Sequence, residues 1–129
     1  MSTPLAEGKR LSDWLKGEVQ TPTDFSRQEI TVLSGEVLVT GTVLAQLTSG
    51  GKWVGLDVGA SSGAGSDAAK GILLLDCDAT DGDQRAVAIV RDAVVSDNGI
   101  TWAANASAGD IVTHTAELLA LGIVVREGA

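Results

Sequence analysis

The stretch SGEVLVTGTVLAQLTSGGKWV, residues 34–54, decides the fold class of this chain. Apolar and polar residues nearly alternate on both sides of the Gly50-Gly51 break, as is typical of two strands joined by a turn. Its only charged residues are one Glu and one Lys, set among Val, Leu, Thr and Gly. The stretch therefore predicts a β-hairpin that serves as scaffold and carries no reactive group.

Alternation and turn residues extend this prediction along the chain. Short strands are predicted at 31–33, 36–39, 42–47 and 52–56. A second hairpin is predicted from ILLLDCD and RAVAIVRDAVV, with Asp81-Gly82 at its turn. Because the arms of this hairpin are almost wholly apolar, we expect both of their faces to be covered.

The C-terminal segment THTAELLALGIVVREG predicts the one short helix and a last strand, IVVR. Thr113 or Thr115 is the expected N-cap, and Gly122 is suited to end the helix. The fold class is therefore mostly β with one short C-terminal helix, in a single small domain at residues 30–129.

Residues 1–29 contain both prolines and show no sustained periodicity. We expect a flexible N-terminal arm here, because chain termini are mobile unless they are tied down. Trp14 and Phe25 are its isolated aromatic residues. The alternative is that Trp14 packs back on its own domain.

The composition of these 129 residues argues against several classes of function. The formal net charge of −8 opposes binding to the phosphate backbone of nucleic acid. The longest apolar runs fall well short of the roughly 20 residues of a membrane span. No apolar signal-peptide region is seen at the N-terminus. The single cysteine, Cys77, excludes an internal disulfide and is expected to lie in the core.

Two motif matches point to chemistry, and we discount both. GASSG at 59–63 matches the nucleophile elbow, with Ser61, Asp92 or Asp97, and His114 in hydrolase order. The elbow requires a helix directly after it, whereas more Gly and Ser follow here. We therefore expect a Gly/Ser loop, no catalytic residue and no cofactor.

DCDATDGD at 76–83 has the acidic density of a calcium loop. Counting from Asp76 puts Thr80 at position 5, Asp81 at position 6 and Val87 at position 12, so the register of an EF-hand fails. Asp and Gly also supply turn geometry, and their charges oppose edge-to-edge pairing. We expect a solvated turn and no metal site.

The order of features resembles the head decoration protein family of lambda-like tailed phages. The resemblance covers residues 25–126. It is carried by SRQEITVLSG, by GTVL at 41–44, by KGILLLD at 70–76 and by LGIVVR at 121–126. Asp92 stands where the family pattern has Gly. This departure is expected to change a turn and to leave the predicted strands intact.

The resemblance implies a compact β-clip fold and a homotrimer without enzymatic activity. Such trimers bind the outer surface of the expanded head, contact the major capsid protein and cement the shell against the pressure of packaged DNA. The protein would then be on the virion, after assembly in the host cytoplasm. The arm would pair with a strand of the major capsid protein, with Trp14, Phe25, Ile30 and Val32 as the expected capsid-binding residues.

Two alternatives remain open at this point. One is a trimeric β-clip enzyme of the nucleotide hydrolase type, although the chain has no Arg-Ser-Ser motif, no Tyr and no aromatic residue in its tail. The other is a carbohydrate-binding or adhesion module, for which Trp53 and Trp102 are the available aromatic platforms.

Overall fold

The computed structural model describes residues 14–18, 26–48, 50–57, 68–97, 99–102 and 106–126. Within these ranges the elements follow in chain order: β1 (Leu15–Glu18), β2 (Arg27–Val32), β3 (Val37–Leu38), β4 (Val43–Gln46), β5 (Trp53–Gly55), β6 (Gly71–Leu73), β7 (Cys77–Asp78), β8 (Gln84–Ile89), β9 (Ala93–Ser96), α1 (Ala108–Ala120) and β10 (Ile123–Arg126). The prediction of a mostly β domain with one short C-terminal helix is confirmed. No helix in these ranges has the length and apolar character needed to cross a bilayer.

Five strands close into a barrel in the order β2-β5-β4-β6-β8. The opening stretch supplies its central hairpin, since β4 and β5 pair antiparallel with Ala45 opposite Val54. The predicted second hairpin is also present, with Ile72 opposite Ile89 in the antiparallel pair of β6 and β8. Between β6 and β8 the chain forms β7, which pairs antiparallel with β3 in a separate two-stranded sheet.

A second sheet has the order β1-β9-β10. β1 runs antiparallel to β9, whereas β10 runs parallel to it, with Ile123 opposite Ala93. α1 connects β9 to β10, which is the usual way for a short chain to join parallel neighbours. The predicted segment RAVAIVRDAVV is therefore not one hairpin arm, because its two halves belong to different sheets.

The apolar arms of the predicted second hairpin are covered on both faces, except at Leu75, which is exposed. One cluster takes Ile30, Val32, Leu44, Trp53, Leu73 and Ala88 from all five barrel strands and fills the barrel interior. Alternate residues of the same strands, such as Ile72 and Ile89, join a second cluster with Val95, Leu118 and Ile123 from the second sheet and helix. The second sheet and α1 thus cover the outer face of the barrel.

The break between β8 and β9 lies at Asp92, which has a φ of 51°. This left-handed conformation suits Gly best and is tolerated by Asp better than by most residues. The departure from the family pattern noted above therefore falls at the residue where the chain leaves the barrel. Gly122, with a φ of 87°, lies against it, and a Cβ there would lie 2.4 Å from Asp92 Oδ1.

Helix α1 begins earlier than the sequence suggested. Its N-cap is Ser107, whose hydroxyl accepts a hydrogen bond from the Asp110 backbone N–H while the Asp110 carboxylate accepts one from the Ser107 N–H. The prediction of Thr113 or Thr115 as the cap is wrong, because this reciprocal capping box starts the helix six residues before Thr113. Gly122 follows the end of the helix with positive φ, as expected.

Candidate functional site

Trp14, an expected capsid anchor, lies in the domain core with 0% of its surface exposed. Its indole Nε1 donates to Thr40 Oγ1 at 2.9 Å, and its carbonyl accepts from the Ser96 N–H at 2.7 Å. The structure therefore has the alternative arrangement, in which Trp14 packs on its own domain. Contact between this indole and a capsid would require β1 to leave β9.

The other three expected anchors fall in different places. Phe25 lies outside the described residues. Ile30 and Val32 are 4% and 0% exposed, with their side chains in the barrel interior. The expected domain boundary between residues 29 and 30 falls inside β2, whose six residues all pair with β8. A capsid contact at this strand would thus have to use backbone groups of neighbouring residues, because the side chains of Ile30 and Val32 are buried.

His114, the third member of the discounted triad, is a structural residue of α1. It is 4% exposed, and its Nδ1 lies 2.5 Å from Glu117 Oε1. The same carboxylate oxygen accepts the backbone N–H of Ala69 at 2.9 Å. This network ties α1 to the segment that leads into β6. Ser61 lies outside the described residues.

The carboxylates of the 76–83 stretch hold separate partners. Asp76 accepts the Thr40 N–H at 2.8 Å, and Asp83 accepts the Ser34 N–H at 2.8 Å and the Lys52 Nζ at 2.6 Å. The hydrogen bond from Lys52 is the main reason why the pKa of Asp83 is lowered. Within the described ranges, no group of three or more His, Cys, Asp or Glu side chains is placed to hold a metal ion.

Asp78 stabilises a local turn in the same stretch through hydrogen bonds to Thr80. Its Oδ1 accepts both the hydroxyl and the backbone N–H of Thr80, at 2.5 and 3.0 Å, and these hydrogen bonds lower its pKa. Cys77 beside it is 8% exposed and packs with the barrel interior. Burial, followed by the negative charge of Asp78, raises the pKa of the Cys77 thiol, which makes it a poor nucleophile.

An exposed apolar surface, here called the β3 patch, consists of Val37, Val39 and Leu75, which are 65%, 46% and 62% exposed. Thr40 joins the two segments, since its hydroxyl donates to the Leu74 carbonyl. A cavity of about 300 Å³ lies alongside, lined by Val37, Val39, Leu56 and Trp102 among others. The sequence alone did not reveal this patch, because alternation at 36–39 predicts a strand without showing which of its faces is covered.

A second exposed surface, the α1 patch, consists of Val112, Ala116 and Leu119. Val112 and Leu119 are 70% and 58% exposed, and Ala116 is also exposed. Their spacing of four and three residues places them on one side of the helix. Exposed apolar patches are typical of surfaces that contact other proteins, membranes or ligands.

Neither expected aromatic platform stands free on the surface. Trp53 is 5% exposed and fills the barrel interior, while Trp102 is half-buried and packs against the outer core. A sugar-binding platform needs an open aromatic face. The geometry gives little support to the carbohydrate-binding alternative.

The domain carries one exposed apolar patch beside β3 and another on α1, and such surfaces are typical of the class of proteins that contact other proteins. The family model for bacteriophage lambda head decoration protein D matches residues 4–123, and the chain therefore belongs to that family. Its role is capsid decoration, its partner is the phage capsid and its place is on the virion. No curated protein gives a significant match to the chain.

Proposed function

We propose that the chain is a non-catalytic cementing protein that binds the outer surface of the expanded head as a homotrimer. Bound trimers stabilise the shell against the internal pressure of packaged DNA. The observation that carries this proposal is the family match over residues 4–123. The major capsid protein is the direct partner, and the protein reaches it in the host cytoplasm during assembly.

The two apolar patches support this assembly. A trimer seated on a shell needs one interface between copies and another with the capsid protein, and both must bury apolar surface. The β3 patch and the α1 patch lie on different elements, so one can be covered by a second copy while the other contacts the shell. A single apolar patch would not supply both contacts.

We propose a shorter arm than the sequence suggested. Trp14 is anchored in the core, so the segment that reaches the shell is residues 1–13. Deletion of residues 2–13 is expected to leave a folded protein that binds heads more weakly. Trp14→Ala is expected instead to destabilise the fold by about 3–5 kcal/mol, because it empties a fully buried site.

Co-sedimentation of the purified protein with expanded, undecorated heads of the same phage tests the function. We expect the protein to bind the heads saturably. Light scattering of the free protein should give the mass of three copies. Decorated heads should also survive heating that disrupts undecorated heads. A monomer in solution together with no co-sedimentation would contradict the proposal.

A further inference from the structure

The barrel is closed between β2 and β5 by a single pair of residues. Val32 opposite Trp53 is the only paired position between these two strands, whereas β2 pairs with β8 over six positions. The backbone N–H of Leu33 donates to the Trp53 carbonyl at 2.9 Å and completes this contact. From Arg27 to Thr31, no described strand pairs with the other edge of β2.

The register shows which backbone groups face this open edge. The Val90 N–H donates to the Ser26 carbonyl, so residues 26, 28, 30 and 32 exchange hydrogen bonds with β8. The alternate residues direct their backbone groups away from β8. The N–H and C=O of Glu29 and the N–H of Thr31 therefore point toward the gap beside β5.

A groove follows this edge. One cavity of about 330 Å³ lies between β2 and the β4–β5 hairpin and is lined by Glu29, Thr31, Lys52 and Arg85 among others. A second, of about 470 Å³, is lined by Lys70, Arg91 and Asp92. Both cavities share Gln28, Gln46 and Trp53, so they form one continuous depression beside the open backbone groups.

The groove is cationic on an acidic protein. Lys52, Arg85, Lys70 and Arg91 line it, against the carboxylates of Glu29 and Asp92, while the whole chain carries −8. Arg85 pairs with Glu29, and Lys52 pairs with Asp83 just outside the lining. Both of these pairs are at the surface, where a competing carboxylate can exchange with the partner at little free-energy cost.

We propose that the open edge of β2 binds an extended, acidic segment of the shell protein by strand addition. The backbone groups of Glu29 and Thr31 supply the hydrogen bonds, and the Lys and Arg side chains of the groove favour a partner segment that is acidic. A second copy of this chain is a poorer occupant. Among its described edge strands, β1 carries one Lys and one Glu, and β10 carries one Arg, so neither is acidic. β7 contains Asp78, but β3 and β7 are only two residues long and are too short to pair along residues 29–31.

This inference rests on the proposed function, and amide exchange on decorated heads tests it at single residues. Labelled protein is bound to expanded heads, exposed to deuterated buffer, released under quench and read by nuclear magnetic resonance. We expect the Glu29 and Thr31 amides to become at least about tenfold better protected on heads than in free protein. The amides of Gln28 and Ile30 already bond to β8 and serve as internal controls.

A pair of variants tests the same edge by affinity. Glu29→Pro and Glu29→Ala both remove the pair with Arg85, but only Pro removes the N–H that points into the groove. We expect Glu29→Pro to bind heads at least about tenfold more weakly than Glu29→Ala, a difference of about 1.4 kcal/mol. Lys70→Glu should weaken binding in a salt-dependent way, whereas Arg126→Glu, outside the groove, should not.

The outcomes separate this inference from the function on which it rests. If wild-type protein fails to bind heads, the proposed function itself is wrong. If it binds, but both amides stay unprotected and the two Glu29 variants bind equally, only the strand addition is refuted. Protection of these amides in the free protein would show that a second copy or another part of the same chain occupies the groove, which also overturns the proposal.

Discussion

Trp14 and Gly41 form a single packing unit at the start of the domain. Gly41 has a φ of 86°, and a Cβ added to it would lie 2.9 Å from Trp14 Cδ1 and 3.0 Å from the Gly99 carbonyl oxygen. The indole also donates to Thr40, whose hydroxyl donates onward to the Leu74 carbonyl. Trp14 therefore fixes the segment between β3 and β4 as well as the start of β1.

We expect Gly41→Ala to destabilise the protein by about 2–4 kcal/mol, as the sum of left-handed backbone strain and overpacking. Gly35→Ala is a matched control, because Gly35 has a φ of 99° but no atom within 4 Å of an added Cβ. In the control, only backbone strain should lower the free energy of unfolding. Urea unfolding followed by tryptophan fluorescence measures both, and equal losses would contradict the packing role of Trp14.

Asp92 is the second residue where the chain depends on an unusual conformation. With a φ of 51°, it should tolerate Gly, whereas a β-branched side chain is strained there. We expect Asp92→Val to cost about 1–2 kcal/mol more than Asp92→Gly in thermal unfolding. If the two variants unfold alike, the turn between β8 and β9 can relax without strain.

At the scale of elements, alternation located most of the barrel. It placed strands over β4 and β5, and the apolar run ILLL overlaps β6. It could not find β1, because LKGE has no alternating pattern and forms a strand only through pairing with β9. Nor could it foresee the parallel pairing of β10, since the register between distant segments depends on tertiary packing.

The candidate surfaces were harder to predict than the strands. Ile30 and Val32 are expected to contact the capsid, but their alternation indicates only that they share one face of a strand. Burial of that face in the barrel depends on the closure of five strands. The reverse holds for Val37 and Val39, which alternate in the same way and remain exposed.

The capping box of α1 predicts a pH dependence. Hydrogen bonds from the backbone and then the side chain of Ser107 lower the pKa of Asp110 below its ordinary value of 3.8. A lowered folded-state pKa adds stability that is present above 3.8 and is lost as the pH falls through the folded-state value. The advantage of wild type over Asp110→Asn should therefore be present at neutral pH and disappear in strong acid.

The cap itself is tested at neutral pH. We expect Ser107→Ala to lose about 1 kcal/mol, because the Asp110 N–H loses its acceptor. Ser107→Thr keeps the hydroxyl and should retain most of the stability. Circular dichroism during chemical unfolding measures both variants. A loss as large in Ser107→Thr as in Ser107→Ala would argue against the cap as the cause.

At the scale of the whole molecule, charge helps to assign the two apolar patches of the proposed trimer. Every copy carries −8, so the interface between copies is better placed on the patch with fewer exposed carboxylates. Asp76 and Asp78 beside the β3 patch are exposed. The acidic residues of α1, Asp110 and Glu117, are half-buried and are hydrogen-bonded to Ser107 and to His114. The α1 patch is the better candidate for contact between copies.

We therefore expect the double variant Val112→Glu/Leu119→Glu to dissociate the trimer, because six buried carboxylates per trimer would have to lose water without partners. Val37→Glu/Val39→Glu adds the same charge to an exposed surface of each copy and should leave the trimer intact while weakening binding to expanded heads. Light scattering gives the mass of each variant, and co-sedimentation gives its affinity. Because each of these four residues is at least 46% exposed in the isolated chain, both variants should fold, which circular dichroism can verify. The reverse pattern, a monomer from the β3 variant and an intact trimer from the α1 variant, would exchange the roles of the two patches.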